Sequence, residues 1–272
     1  MTPRYIDTHC HLQLEQYDED REEIIRKMHE EQIAGIVVGD DYESSVQAVE
    51  LAEKHWHLFA TVGIHPHQTI FEDLNIEKFK ELARNERVVA IGECGLDYSR
   101  EMDDDIKNRQ KEVFKQHIAL SEELDKPLVV HARTPEAYQD VVAMLIEAKS
   151  IYPNLRGNVH FFSGSLAEAQ ALIALDFTIS FTAVITFARN YDEIIKAVPL
   201  LSILSETDAP YVAPAGRRGE RNDPLSVIDV IHQIATIRGE DLELVRTTLL
   251  ANAQHQFVPV GDSTESLASG II

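Results

Sequence analysis

Short apolar runs rich in β-branched residues alternate with amphipathic helical patterns along almost the whole chain, and the strand-like unit recurs eight times. The expected strands cover residues 4–9, 34–39, 58–64, 88–93, 127–132, 157–162, 177–182 and 202–207. Their near-continuous hydrophobicity suits strands buried on both faces, as in parallel sheets. The segments between them repeat apolar residues with a helical period, as in DREEIIRKMHEEQ, YESSVQAVELAEKH and IKNRQKEVFKQHIALSEEL. Two further helical patterns follow the eighth strand, with Gly239 and Asp241 marking a stop and a restart. Such alternation predicts a parallel sheet with helices outside it. Eight repeats favour an α/β fold of the closed (β/α)8 TIM-barrel type over an open doubly wound sheet. No G-x-G-x-x-G or P-loop is present to support the open form.

The length of 272 residues fits one such barrel, whose usual size is about 250 residues. A single barrel domain is expected over 1–258, with a loose polar tail at 259–272. Two cysteines, Cys10 and Cys94, make no disulfide framework and suit a reducing compartment. The start, MTPRYIDTHCHL, lacks the apolar stretch of a signal peptide, and no run is long enough to span a bilayer. A cytoplasmic chain with no membrane partner is therefore expected, monomeric by default. The net charge of −21 argues against proteins that coat nucleic acid or anionic lipid. It does not exclude local engagement of a phosphate.

Active sites of such barrels lie at the carboxyl ends of the strands, and metal-binding side chains gather at those ends here. The first strand ends in DTHCH (His9, His11), the third in GIHPH (His65, His67) and the fourth in GECGLDY (Glu93). The fifth ends in VVHAR (His131, Arg133), the sixth carries VHFFSG (His160) and the eighth ends in ETDAPY (Asp208). His9 and His11 are two apart, so on an extended strand both imidazoles point the same way and Cys10 points into the core. Each residue alone has a structural explanation: a core hydrogen bond for either His131 or His160, a buried ion pair for Glu93, a turn cap for Asp208. Five strands supplying polar groups to one pole is hard to explain by packing, because burying them without partners is costly. A nitrogen and carboxylate donor set without sulfur suits Zn, Mn or other imidazole-binding metals and tolerates Mg. His29, His117, His232 and His255 fall in helical segments, and His55 and His57 in a connection; these are expected to be surface or packing residues.

The motifs DTHCHL, GIHPH, IGECGLDY, HAR, HFFSGS, ETDAPY and RNDP, in this order over most of the chain, resemble the TatD family of metal-dependent deoxyribonucleases within the amidohydrolase superfamily. The resemblance implies two divalent ions (Zn, Mg or Mn) at the strand ends. His9, His11, Glu93 and Asp208 would hold one, and Glu93, His131 and His160 the other, with Glu93 bridging. It further implies hydrolysis of DNA phosphodiesters, of 3′–5′ exonuclease type on strand ends or short oligonucleotides, by a water that the metal pair activates. Asp208 would be ligand and general base, and Glu93 the shared carboxylate. His65 and Arg133 would grip phosphate oxygens. Arg221, with Arg217 and Arg218 in the loop after the eighth strand, would form a basic rim for the strand end. The run Asp103–Asp105, near the expected mouth, would oppose long polyanions. The rival readings are a hydrolase of a small amide, lactone or phosphoester on the same scaffold, or a metal-binding barrel without catalysis, since fold alone does not fix function.

Overall fold

The computed structural model describes residues 2–100 and 103–257, so the expected tail at 259–272 lies outside the described residues. The strands are β1 (Tyr5–Cys10), β2 (Ile33–Val38), β3 (Leu58–Val62), β4 (Val88–Asp97), β5 (Leu128–Arg133), β6 (Gly157–Val159), β7 (Phe177–Phe181) and β8 (Ile203–Ser205). Every neighbouring pair from β1 to β8 is parallel, and the hydrogen-bonded order is the chain order. The seam between β8 and β1 is closed by individual bonds. Thr8 Oγ1 donates to the Ser205 carbonyl at 3.1 Å. The Asp208 amide donates to the His9 carbonyl, and the His11 amide to the Ala209 carbonyl, both at 2.8 Å. The result is the expected (β/α)8 TIM barrel.

The helices are α1 (Arg21–Glu30), α2 (Tyr42–Lys54), α3 (Ile76–Ala83), α4 (Asp104–Leu124), α5 (Pro135–Ile151), α6 (Leu166–Ala174), α7 (Asp192–Ala197), α8 (Val227–Arg238) and α9 (Leu242–Phe257). Asp41, Asn75, Asp103, Thr134 and Ser165 each accept the backbone N–H three residues ahead, at the starts of α2, α3, α4, α5 and α6. Such a cap contributes about 1 kcal/mol and fixes where the helix leaves its loop. Helix α8 stops at Gly239 in a left-handed conformation, the residue the sequence marks as the stop. Ile6, Ile36, Val89, Val129 and Leu204 of the strands meet Ala253 and Phe257 of α9 in one apolar cluster. Among the described residues, no helix is long and apolar enough to cross a membrane.

Strands β6 and β8 are shorter than their apolar runs suggest, and β4 is longer. The β6 run ends because Phe161 adopts a φ of 42°. Past β8, Asp208 adopts a φ of 52°. Strand β4 continues to Asp97 because Gly92 and Gly95, at φ of 143° and 129°, let it press on β5. A Cβ at Gly92 would meet the Val129 carbonyl at 2.4 Å, and one at Gly95 the His131 carbonyl at 2.1 Å. Only glycine permits both that conformation and that approach. The register shifts between Ile91 and Cys94, and Glu93 lies within that irregular stretch.

Candidate metal centre

The side chains from the strand ends converge around Glu93, whose two oxygens face different partners. Oε2 lies 3.2 Å from His9 Nε2 and 3.9 Å from His11 Nε2. Asp208 Oδ1 completes this group, 3.7 Å from His9 Nε2 and 3.5 Å from His11 Nε2. Oε1 lies 2.9 Å from His131 Nδ1 and 2.8 Å from His160 Nε2, and those two nitrogens are 3.2 Å apart. All six side chains are buried except His131, which is partly so. Cys10 turns away, its Sγ facing the Ile36 carbonyl at 3.4 Å.

Proton accounting shows what these atoms are suited to hold. The His11 Nδ1 faces the Val38 carbonyl at 2.9 Å, and a carbonyl only accepts, so Nδ1 carries a proton and a neutral ring would turn a lone pair on Nε2 toward Asp208 and Glu93. His131 Nε2 donates to Asp97 Oδ2 at 3.0 Å, which leaves Nδ1 as a lone pair facing Glu93 Oε1 and His160. Neutral histidines would therefore set acceptor against acceptor on both sides of Glu93. A cation in each group, or extra protons, relieves this. The electrostatics agree. Burial works against charge on Glu93, yet the surrounding imidazoles, His160 foremost, outweigh it and hold the carboxyl well below its usual range. Burial likewise disfavours a charged His160, but Glu93 and Glu206 hold it well above the ordinary imidazole range. The donor set calls for positive charge and fits two divalent ions sharing one carboxylate. The groups His9–His11–Glu93 and Glu93–His131–His160 each bring ligand atoms within 4.8 Å of one another.

Three carboxylates that the sequence did not single out position these side chains. Asp97 Oδ2 accepts from both His131 Nε2 and His67 Nε2, each at 3.0 Å, while Oδ1 accepts the Ser99 amide at 2.8 Å. Burial would raise its pKa, but the His131 and His67 hydrogen bonds outweigh it and keep the carboxyl ionised. Carboxylate-to-histidine contacts of this kind orient metal-binding rings and make them better ligands. Asp7 ties the ends of β1 and β8 together: Oδ1 accepts the His9 and Thr207 amides at 3.2 and 2.9 Å, and Oδ2 the Thr207 hydroxyl at 2.6 Å. Glu206 accepts the Phe161 amide at 2.5 Å and the Ser180 hydroxyl at 2.6 Å, and stands 3.7 Å from His160 Nδ1. Only the motifs GLDY, DTH and ETD hinted at these acids; their partners lie across the barrel.

A cleft of about 720 Å³ opens above the centre. His65, His67 and Arg133 line it. His65 Nε2 is 3.5 Å from Glu93 Oε1, and its Nδ1 accepts the His67 amide at 3.1 Å, so the ring's proton sits on Nε2. Burial chiefly pushes the His65 pKa down to about 3, so the ring is neutral. Arg133 is exposed, and its guanidinium has no hydrogen-bond or ion-pair partner among the described residues. Arg221, expected to grip substrate, is elsewhere: it forms a two-pronged pair with Asp20 and stacks on Tyr17 at 4.6 Å. Arg217 is bound by Asp223 and Ser226. Asn222 of the same RNDP motif donates to the Thr207 and Val212 carbonyls, each at 3.3 Å, so the motif buttresses the loop after β8. Asp103 caps α4 and lines, with Asp105, a surface groove alongside Ile70 and Phe71.

The chain is similar to known proteins along nearly its whole length. The family described as TatD related DNase matches residues 6–258. The uncharacterized metal-dependent hydrolase YabD of Bacillus subtilis is 38% identical over 92% of this chain and 98% of its own. The 3′-5′ ssDNA/RNA exonuclease TatD of Erwinia amylovora is 31% identical over 92% of this chain and 98% of its own. Among solved structures, the TatD homolog YjjV of Escherichia coli K12 superposes with a TM-score of 0.86 at 29% identity, covering 95% of this chain and all of that one.

Proposed function

We propose, from the premise that the chain belongs to the TatD-related DNase family, that this metal-dependent hydrolase cleaves DNA phosphodiesters, working from 3′ ends or on short strands. The observation that carries the reading is the division of Glu93: one oxygen among His9, His11 and Asp208, the other between His131 and His160. The name of the Erwinia amylovora relative supports a nucleic-acid substrate. Two divalent ions in these groups would neutralise charge on a phosphate and lower the pKa of a water. The ion pair could be Zn, Mg or Mn, since the donors are nitrogen and oxygen alone.

The chain's own groups divide the remaining work. His9, His11, His131 and His160 present lone pairs, and Glu93 joins the two groups. Asp208, as ligand and base, would take the proton of the water that attacks phosphorus, and as the bond to the 3′ oxygen breaks that oxygen would leave as the hydroxyl, taking a proton back from Asp208 or from solvent. His65 donates from Nε2 to a phosphate oxygen; because the ring is neutral, it adds direction without adding charge. Arg133 offers paired donors suited to the same phosphate. Arg221 is better assigned to holding the loop after β8 through Asp20.

The test is a substrate panel. Short single strands labelled at the 3′ end, blunt duplexes, covalently closed circular duplex and a dihydroorotate-type cyclic amide are compared with a divalent ion present. Loss of the terminal nucleotide from single strands, with the closed circle intact, is expected. Equal cleavage of the circle, or hydrolysis of the amide alone, would overturn the assignment.

A further inference from the structure

The cleft has two unlike sides. The loop after β3 and the end of β5 contribute His65, His67 and Arg133; loops after β6 and β8 contribute Phe161, Tyr211 and Val212. The first side suits phosphate. The second is aromatic and aliphatic, and nothing in the phosphoryl chemistry above uses it.

This apolar side is held in an unusual conformation. Phe161 and Val212 have φ of 42° and 49°. A branched residue such as valine rarely adopts the left-handed region, and residues held there persist only where neighbours over-determine them. Here the neighbours are plain. Buried Glu206 grips the Phe161 amide at 2.5 Å, and Asn222 reaches the Val212 carbonyl at 3.3 Å. Tyr211, which lines the same cleft, is 50% exposed, against a core in which other large aromatic rings are fully buried. Its backbone is fixed by donation to the Asp208 carbonyl at 2.9 Å. Its one ring neighbour among the described residues is His11, edge-on at 6.1 Å. Tyr211 thus stands one ring away from the ligand group, much as a nucleotide's base stands one sugar away from its phosphate.

We propose that Phe161, Tyr211 and Val212 form a nucleobase subsite that takes a single unpaired base from a strand end, an inference that rests on the phosphodiesterase reading above. An exposed ring on a fixed backbone is what base stacking requires, and every base offers a face, so the subsite is tolerant of sequence. A base inside a duplex is already stacked and paired, and must leave both arrangements to reach Tyr211. The subsite therefore selects single strands and frayed ends.

The experiment uses the full chain loaded with divalent ion, as wild type, Tyr211→Ala and Tyr211→Phe. Calorimetry measures binding of deoxyadenosine 5′-monophosphate and of deoxyribose 5-phosphate. Hydrolysis is followed on one oligonucleotide ending in a normal nucleotide and on another ending in an abasic one. Tyr211→Ala should weaken binding of the base-bearing ligand by about tenfold, within the range of base–aromatic stacking, and raise KM on the normal end by a similar factor. It should leave the sugar phosphate and the abasic end unchanged, and Tyr211→Phe should restore wild-type behaviour. Equal effects on base-bearing and base-free ligands, or no effect on either, would overturn the subsite. If wild type hydrolyses neither oligonucleotide, the phosphodiesterase reading fails, while the two calorimetric arms still decide the subsite.

Discussion

Replacing Asp97 by Asn isolates the Glu93–His131–His160 group without touching any of the proposed ligands. Asp97 uses Oδ1 for the Ser99 amide at 2.8 Å and Oδ2 for the His131 and His67 ring nitrogens at 3.0 Å. In the variant, the amide oxygen keeps the Ser99 bond, and the NH2 group then faces two imidazole N–H donors. His131 relieves the clash by moving its proton to Nδ1, the atom that faces Glu93. A protonated Nδ1 cannot ligate, so metal binding must first reverse the tautomer without the carboxylate that favoured it. Loss of such outer partners typically costs 10–100-fold in affinity, about 1.4–2.7 kcal/mol. Titrating metal-free protein with Zn in the presence of a competing chelator should resolve two binding events in wild type. In Asp97→Asn the event at Glu93–His131–His160 should fall by that factor, so one of the two events weakens while the other, at His9–His11–Asp208, holds within about twofold. Equal weakening of both events, or of neither, would refute the reasoning.

Arg133→Ala should raise KM for an oligonucleotide by roughly tenfold or more, the scale of one hydrogen bond to a charged group, whereas Arg221→Ala should leave KM alone and cost at most about 1 kcal/mol in urea unfolding, as surface pairs do. Glu93→Ala should abolish the shared ligand, so metal content by elemental analysis falls by at least one ion per chain and turnover drops by more than about a hundredfold; retention of both would contradict the bridge. His117 is locked neutral in the fold, with Nδ1 donating to the Val113 carbonyl at 2.8 Å and Nε2 accepting the Ile64 amide at 3.0 Å. Burial chiefly pushes its pKa down from 6.5 to about 4. The unfolded chain then binds the proton more readily, so the His117 contribution is complete above pH 6.5 and is lost as pH falls toward 4. That loss is on the order of 3 kcal/mol, and a His117→Gln variant should show a correspondingly shallower fall in urea stability between pH 7 and pH 4; parallel curves for the two proteins would argue against it.

The barrel was legible because periodicity is a local property: each apolar run and each helical stripe declares itself within a dozen residues. Strand ends were less so. β6 and β8 stop short of their apolar runs, and the backbone beyond them, at Phe161 and Asp208, is set by contacts from elsewhere, with Glu206 gripping the Phe161 amide and Asp7 the Thr207 amide. The glycines of GECG look like strand breakers in one dimension, yet in the fold they let β4 approach β5 and run on to Asp97. Histidine and carboxylate at strand ends pointed to one pole, and His9, His11, Glu93, His131, His160 and Asp208 do meet there. Residues defined by their partners were not legible. Asp97, Asp7 and Glu206 are ordinary acids in the sequence, and Arg221 looked free because Asp20, which captures it, lies 201 positions away.

Anomalous diffraction from crystals grown with Mn addresses the centre most directly. Two peaks about 4 Å apart, one on each oxygen of Glu93, are expected. A lone peak away from that carboxylate, or scattered peaks outside the ring of His9, His11, His131 and His160, would contradict the shared-carboxylate centre.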